Sequence, residues 1–264
     1  TNTLNVGKVW DAMVDIVVEQ CEQDGLEPMS INPVVGECND SRINQIQKRV
    51  VGADEVRQAF ASASEEFEEG DVGAGAGTIC YGLKGGIGSA SRVIRIGEKE
   101  YTIGVLVQSN FGATEDFVLN GESVGAKILD WKQEKDDMAA SEEDKGSIMS
   151  ILATDLPLTS RQLRRILRRT SVGIARTGGY TGHGSGEVMI GFTTANRIPS
   201  GTEEKLLQIQ AIPEHVINRA FLAAAEAEQE AILNSMTAAE RTRGLAGELY
   251  YSLAEYLEDQ DSKQ

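Results

Sequence analysis

Gly146-Ser147 is the dipeptide from which a catalytic centre can be assembled with the fewest parts. If the peptide bond before Ser147 opened, the freed α-amine would lie within about 3 Å of its own hydroxyl, a distance suited to proton transfer. An unperturbed α-amine titrates near pH ~8, so it can accept that proton close to neutrality. Ser147 would then be a nucleophile that carries its own base. Glycine in front of it removes side-chain obstruction where the hydroxyl must meet the preceding carbonyl. Gly-Ser is nevertheless a common dipeptide, and a loop that simply meets a strand would read the same way.

Three other stretches could assist. In Gly182-His183-Gly184-Ser185-Gly186-Glu187 the glycines allow close backbone approach, and Ser185 and Glu187 stand on one side of an extended chain. A serine hydroxyl relaying to a carboxylate could orient the nucleophile or move its proton; a plain glycine-rich turn is the alternative, with His183 as a surface turn residue. Asn110, in Gln108-Ser109-Asn110-Phe111-Gly112, could donate an amide hydrogen into an oxyanion hole, worth roughly 3–4 kcal/mol in the transition state. It could equally make a turn. Glu37, between Val34 and Asp40, could receive a substrate ammonium or be an exposed loop charge. The run from Gly73 to Gly77 with Lys84-Gly85-Gly86 is neither a phosphate loop nor a dinucleotide fingerprint. It lacks the Gly-Lys-Ser/Thr ending, and a strand rather than a helix follows it.

Composition narrows the chemistry further. Two histidines, His183 and His215, and three scattered cysteines, Cys21, Cys38 and Cys80, supply neither a zinc site nor a disulfide framework. No metal and no cofactor are expected, and the thiols read as reduced. The net charge is −16, of which −14 lies in residues 1–146 and −2 in residues 147–264. So acidic a chain repels phosphate backbones, which excludes nucleic acid as a partner. The arginines at 161, 164, 165, 168 and 169 read as a solvated helix face or as partners for the acidic half. No apolar stretch is long enough to span a membrane, and no basic-then-apolar leader opens the sequence. The expected location is the cytoplasm, with the periplasm left open.

The elements that would position these residues follow from periodicity. An apolar stripe predicts a helix over 5–23, and a second, acidic helix is read over 55–69, ending at Gly70. Residues 92–96 alternate as a strand and turn through 97–100 into 101–108, apolar enough to be buried on both faces. Residues 132–145 have almost nothing to bury and read as an exposed connection. It runs directly into a core strand over 147–153. Helices are expected over 159–170, 213–233 and 247–257, with a strand over 187–194. The alternation indicates a layered α/β architecture.

Taken together, the blocks resemble the DmpA-type family of L-aminopeptidase/D-amidase/D-esterases and the β-aminopeptidases. The resemblance rests on Thr1–Thr3 through Val9–Ala12, on Val34–Glu37 with Asn39-Asp40, and on Gly75–Arg92. The last block runs from Gly146 to Asn196, including Ala153–Leu158, Gly173–Gly178 and Phe192–Asn196. The resemblance implies a four-layer αββα sandwich of the DmpA/ornithine acetyltransferase type. It implies a precursor that cuts itself between Gly146 and Ser147 into an α-part (1–146) and a β-part (147–264), which remain one structural domain. Ser147 then matches the nucleophile, Ser185 and Glu187 the assisting serine and acid, Asn110 the oxyanion donor and Glu37 the carboxylate for the substrate's amino group. The implied substrates are short peptides, amino-acid amides or esters, and the implied assembly is a homo-oligomer of processed heterodimers. A family segment that usually precedes the block at Thr1 is absent from this sequence. Two alternatives stand beside this reading: an ornithine acetyltransferase-like acyltransferase, against which the serine counts, and an inactive truncated relative that serves as a binding partner.

Overall fold

The structure is a computed structural model that describes residues 1–28, 30–135, 146–198 and 206–263. Its helices are α1 (Val6–Gln23), α2 (Ala53–Ala61), α3 (Gly125–Glu134), α4 (Ser160–Leu167), α5 (Thr170–Arg176), α6 (Ile217–Thr237) and α7 (Leu253–Ser262). Its strands are β1 (Ile79–Cys80), β2 (Leu83–Lys84), β3 (Ile87–Ile96), β4 (Lys99–Asn110), β5 (Val118–Leu119) and β6 (Glu122–Ser123). They continue with β7 (Ser147–Thr154), β8 (Gly186–Thr193), β9 (Thr242–Arg243) and β10 (Leu249–Tyr250). One sheet carries the long strands in the order β3-β4-β7-β8. Its first two junctions are antiparallel and the last is parallel.

Residue size decides how α6 meets this sheet. Ala220, Ala223, Ala224, Ala227 and Ala231 are buried on the helix, and alanine both favours the helix and lets it lie close to the strands. Ile103, Val105 and Val107 of β4 and Ile148 and Leu152 of β7 fill the same core. Two capping boxes fix where neighbouring helices begin. The Thr159 hydroxyl accepts from the Gln162 N–H while the Gln162 side chain accepts from the Thr159 N–H, and Ser252 and Glu255 repeat the arrangement at α7. On the other face of the sheet Val93, Ile151, Val188 and Phe192 are exposed. The class is α/β as expected; of the four expected layers, the described residues supply a sheet and the helices packed on one of its faces.

Several boundaries differ from the sequence expectation. The acidic helix stops at Ala61 because four glutamates at 65, 66, 68 and 69 would crowd one another at the negative end of the helix dipole. Glu69 instead accepts from both the N–H and the hydroxyl of Ser89, at 2.6 Å each, at the start of β3. The exposed connection does not begin at Lys132: that residue closes onto the core inside α3, its ammonium 2.7 Å from the Gly82 carbonyl. Residues 136–145 of that connection lie outside the described residues. β4 alternates buried and half-buried positions through its middle and is buried on consecutive positions only over 107–110. The last helix begins six residues later than expected, since Leu249–Tyr250 pair with β9 first. Three of the clustered arginines turn to their own half of the chain: Arg161 and Arg165 of α4 pair with Glu214, and Arg165 and Arg169, the latter just before α5, lie over the Phe221 ring.

Two buried ionisable groups give measurable stability effects. Lys84 is fully buried and donates to the carbonyls of Gly75 (2.8 Å), Thr78 (3.1 Å) and Gly85 (2.7 Å), pinning the glycine-rich loop to itself. Burial pushes its pKa down to about 8. Lys84→Met removes three hydrogen bonds, although Thr78 still donates to the Gly75 carbonyl and the Gly85 N–H to the Thr78 carbonyl; it is expected to cost about 1–3 kcal/mol, read from the denaturant midpoint.

Glu228, on α6, is 0% exposed; Ser150 donates to its Oε1 at 2.5 Å, while Oε2 is buried with no partner among the described residues. Burial raises its pKa from 4.5 to about 8. The folded protein thus holds this proton more tightly than the unfolded chain. That contribution is complete below the unfolded value and is lost as pH rises through about 8. Thermal melts from pH 5 to pH 9 are expected to show a decline that Glu228→Gln removes, with a difference of a few kcal/mol, roughly, across the range.

Candidate active site

Ser147 opens β7, between β4 and β8. Its Cα pairs with Asn110 on the antiparallel side and with Gly186 on the parallel side. The register alone therefore brings the nucleophile candidate, the amide candidate and the Ser185–Glu187 stretch to one end of the sheet. Strand parity also separates them. Ser147 shares the open face with Met149 and Ile151, whereas Glu187 pairs with Ile148, whose side chain is in the helix-side core.

Position 146 accepts only glycine. A Cβ there would lie 2.0 Å from the Asn110 carbonyl oxygen and 2.6 Å from the Phe111 Cα, both backbone atoms that cannot step aside. The Gly146 carbonyl in turn accepts a hydrogen bond from the Gly186 N–H at 3.0 Å. The bond in front of Ser147 is thus held against β4 on one side and polarised by a fixed donor on the other. Sequence reasoning missed Gly186 as a donor, because every residue but proline carries an N–H and only the pairing shows where it points.

Asn110 is buried with its amide orientation determined. Its Oδ1 accepts from the Ile79 N–H at 3.0 Å and its Nδ2 donates to the Asn39 carbonyl at 3.2 Å. One of the two Nδ2 hydrogens is used there, which leaves the second for another acceptor. Ser185 donates to Glu187 Oε1 at 2.5 Å, so these two form one hydrogen-bonded unit. The loop leading into them is strained at Thr181, a β-branched residue held at φ +55°. His183 is exposed in a turn, as expected.

The segment 36–38 lies over the open face beside β7. A Cβ on Gly36 would meet the Met149 side chain, and the Cys38 Sγ is 3.6 Å from the carbonyl oxygens of both Ser147 and Gln108. Glu37, between them, is half-buried, with Oε2 buried and unpartnered among the described residues. The Thr1 ammonium, which donates to the Gly36 carbonyl at 2.9 Å, lies within electrostatic reach of Glu37. Cys38, read from the sequence only as one of three reduced thiols, is a second feature whose place at the site the sequence did not show. Burial pushes its thiol up to about 11, so it stays protonated and does not compete as a nucleophile.

The Peptidase family S58 profile matches residues 1–250. The chain belongs to that family. It is 35% identical over 261 residues to a β-peptidyl aminopeptidase, BapA, of Sphingosinicella xenopeptidilytica, covering 96% of this chain and 65% of that protein. The chain thus spans about 65% of the length of the curated relatives it matches. Among solved structures it superposes on a Pyrococcus horikoshii protein with a TM-score of 0.87 at 44% identity, over 97% of this chain and 70% of that one. It also superposes on an L-aminopeptidase D-Ala-esterase/amidase of Ochrobactrum anthropi, described as a variant of the Ntn-hydrolase fold. That TM-score is 0.85 at 33% identity, over 98% and 70% of the two chains. A Burkholderia β-aminopeptidase gives 0.85 at 34% identity, over 99% and 72%.

Proposed function

We propose that this chain is the catalytic part of a self-processing aminopeptidase that removes amino-terminal residues from short peptides, amides or esters. The observation that carries the reading is the Gly146 carbonyl, held at 3.0 Å by the Gly186 N–H immediately in front of the Ser147 hydroxyl. Membership of family S58 and likeness to two aminopeptidase structures support it.

In the maturation step the Ser147 Oγ attacks the Gly146 carbonyl carbon. The developing oxyanion is stabilised by the Gly186 N–H, the Gly146–Ser147 C–N bond breaks, and the departing nitrogen takes the hydroxyl proton. Water then hydrolyses the resulting ester, leaving a carboxylate at Gly146 and a free amine and hydroxyl on Ser147. Residues 1–146 and 147–264 stay together because β4 and β7 pair from Ile103 opposite Thr154 to Asn110 opposite Ser147, across the cut.

In turnover the same hydroxyl attacks the substrate carbonyl. The freed α-amine takes its proton and passes it to the leaving amine. The free Nδ2 hydrogen of Asn110 and the Gly186 N–H face the oxyanion, and Glu37 receives the substrate's ammonium. The Ser147 nitrogen lies in the plane of the sheet, so the Ser185–Glu187 unit at the start of β8 acts on that amine rather than on the hydroxyl above it. Water releases the acyl group and restores the serine.

The processed heterodimers associate as a homo-oligomer in this reading, and they work in the cytoplasm, in keeping with free thiols at Cys21, Cys38 and Cys80. Among the described residues no helix is long and apolar enough to cross a membrane. The whole polypeptide, incubated with the p-nitroanilides of alanine, β-alanine and D-alanine, is expected to release nitroaniline from at least one. N-acetylation of that substrate is expected to abolish release, since Glu37 would lose its ammonium partner. Equal turnover of the acetylated substrate would remove Glu37 from its assigned role, and no turnover of any of the three would remove the reading.

A further inference from the structure

Between Gly179 and Gly186 the chain forms a short arc, pinned at both ends beside the Gly146–Ser147 bond. At its near end a Cβ on Gly179 would lie 2.9 Å from the ring of Phe111, the neighbour of Asn110, and 2.7 Å from the Ile174 side chain. The Gly179 N–H also donates to the Ile174 carbonyl at 3.1 Å. At its far end the Gly186 N–H holds the Gly146 carbonyl, and the Ser185 N–H closes a turn on the Gly182 carbonyl, at 3.0 Å each. Thr181, in the left-handed region, turns the backbone sharply between these anchors. Beside it Tyr180 stands 63% exposed, its hydroxyl without a hydrogen-bond partner among the described residues. An aromatic ring kept in water on a pinned backbone is a preformed contact surface, with only two side-chain torsions left to order.

We infer that Tyr180 is a specificity-determining residue for the departing group, favouring amides and peptides whose leaving amine carries an aromatic ring. The assignment rests on the proposed reaction. Position sets the side of the scissile bond. The segment 36–38, with Glu37 for the substrate's ammonium, lies on the β4 flank of Ser147, where Cys38 reaches the carbonyls of Gln108 and Ser147. The arc leads into β8, on the opposite flank. An acyl residue anchored at Glu37 and attacked at Ser147 therefore sends its leaving amine toward β8 and the arc. Chemistry sets the class. Residues 180–184 offer a phenol and an imidazole ring but no carboxylate, ammonium or guanidinium, so the arc selects by ring contact rather than by a fixed charge.

Steady-state kinetics of the whole polypeptide test it, on the p-nitroanilide and the methyl ester of whichever alanine isomer the parent hydrolyses. The quantity read is the ratio of kcat/KM for the anilide to that for the ester, whose leaving group has no ring. Tyr180→Ala is expected to lower that ratio roughly 3- to 10-fold, the worth of one ring–ring contact, through the KM of the anilide rather than its kcat. Tyr180→Phe, which keeps the ring and drops the hydroxyl, should restore most of the ratio. Because the side chain is exposed, its removal leaves the core intact. A displaced Ser185–Glu187 pair would instead lower kcat on both substrates alike. An unchanged ratio in Tyr180→Ala, an equal loss on both substrates, or a Tyr180→Phe variant that behaves as Tyr180→Ala would each overturn the assignment and leave the proposed reaction standing. No hydrolysis of either substrate by the parent would overturn both.

Discussion

Ser147→Ala is expected to leave the polypeptide in one piece and its amidase activity at background. The substitution removes one oxygen from a half-buried position at the start of β7, so the pairing of β7 with β4 and β8 is untouched. Two functions disappear with that atom. Without Oγ the Gly146 carbonyl has no attacking group, so the α-amine is never uncovered and the base is never made. Without Oγ there is also no acceptor for the substrate's acyl group. Loss of the nucleophile from an enzyme of this kind lowers turnover by roughly 10⁴-fold or more. A thermal melt within a degree or two, roughly, of the parent would show that the loss is chemical rather than a failure to fold. Substantial activity in the uncut variant would mean that another residue attacks the substrate. The buried, protonated thiol of Cys38 is not available for that task.

Asn110→Asp is the second large effect expected, and it removes the amide's donor while keeping one of its two structural contacts, that with Ile79. The aspartate keeps an oxygen where Ile79 N–H needs an acceptor, so the loop that carries β1 remains anchored. It loses the Nδ2 donor and places an acceptor, with negative charge, where the oxyanion would develop. A lost donor of this kind costs roughly 10²–10³ in kcat with KM little altered, about 3–4 kcal/mol at the transition state. Asn110→Ala should show the other side of the residue. It strands the buried Ile79 N–H and the Asn39 carbonyl, so stability should fall by about 1–3 kcal/mol as well. If kcat were unchanged in the aspartate variant, the oxyanion would have to be held by Gly186 and another donor.

Much of this arrangement was legible in the residues. The junction of an acidic, core-less run with Ser147-Ile148-Met149-Ser150 marked the start of β7 to the residue, because burial demand changes there from none to nearly complete. The stripe of α1 gave its span within a residue. The failures share one physical origin, dependence on partners distant in sequence. The region around Glu65–Glu69 has helical spacing, yet Glu69 is drawn to Ser89, twenty positions away, and the chain leaves the helix. An apolar run such as that of β4 does not reveal which of its faces a neighbour will cover. The Ser185–Glu187 pair was read from spacing, since the two residues stand two apart where the loop enters β8. The facing of that strand relative to Ser147 came only from the parallel register of β7 and β8. The unpaired oxygens of Glu37 and Asp40 were invisible for the same reason: a carboxylate is unsatisfied only with respect to a surrounding structure.

The account turns on an amine at position 147. Intact mass and amino-terminal sequencing of the purified wild-type polypeptide, followed over time alongside amide hydrolysis, address it most directly. Two co-eluting polypeptides are expected, one beginning at Ser147, with activity rising in step with the fraction cleaved. Full activity from a single chain whose Gly146–Ser147 bond is still intact would contradict it.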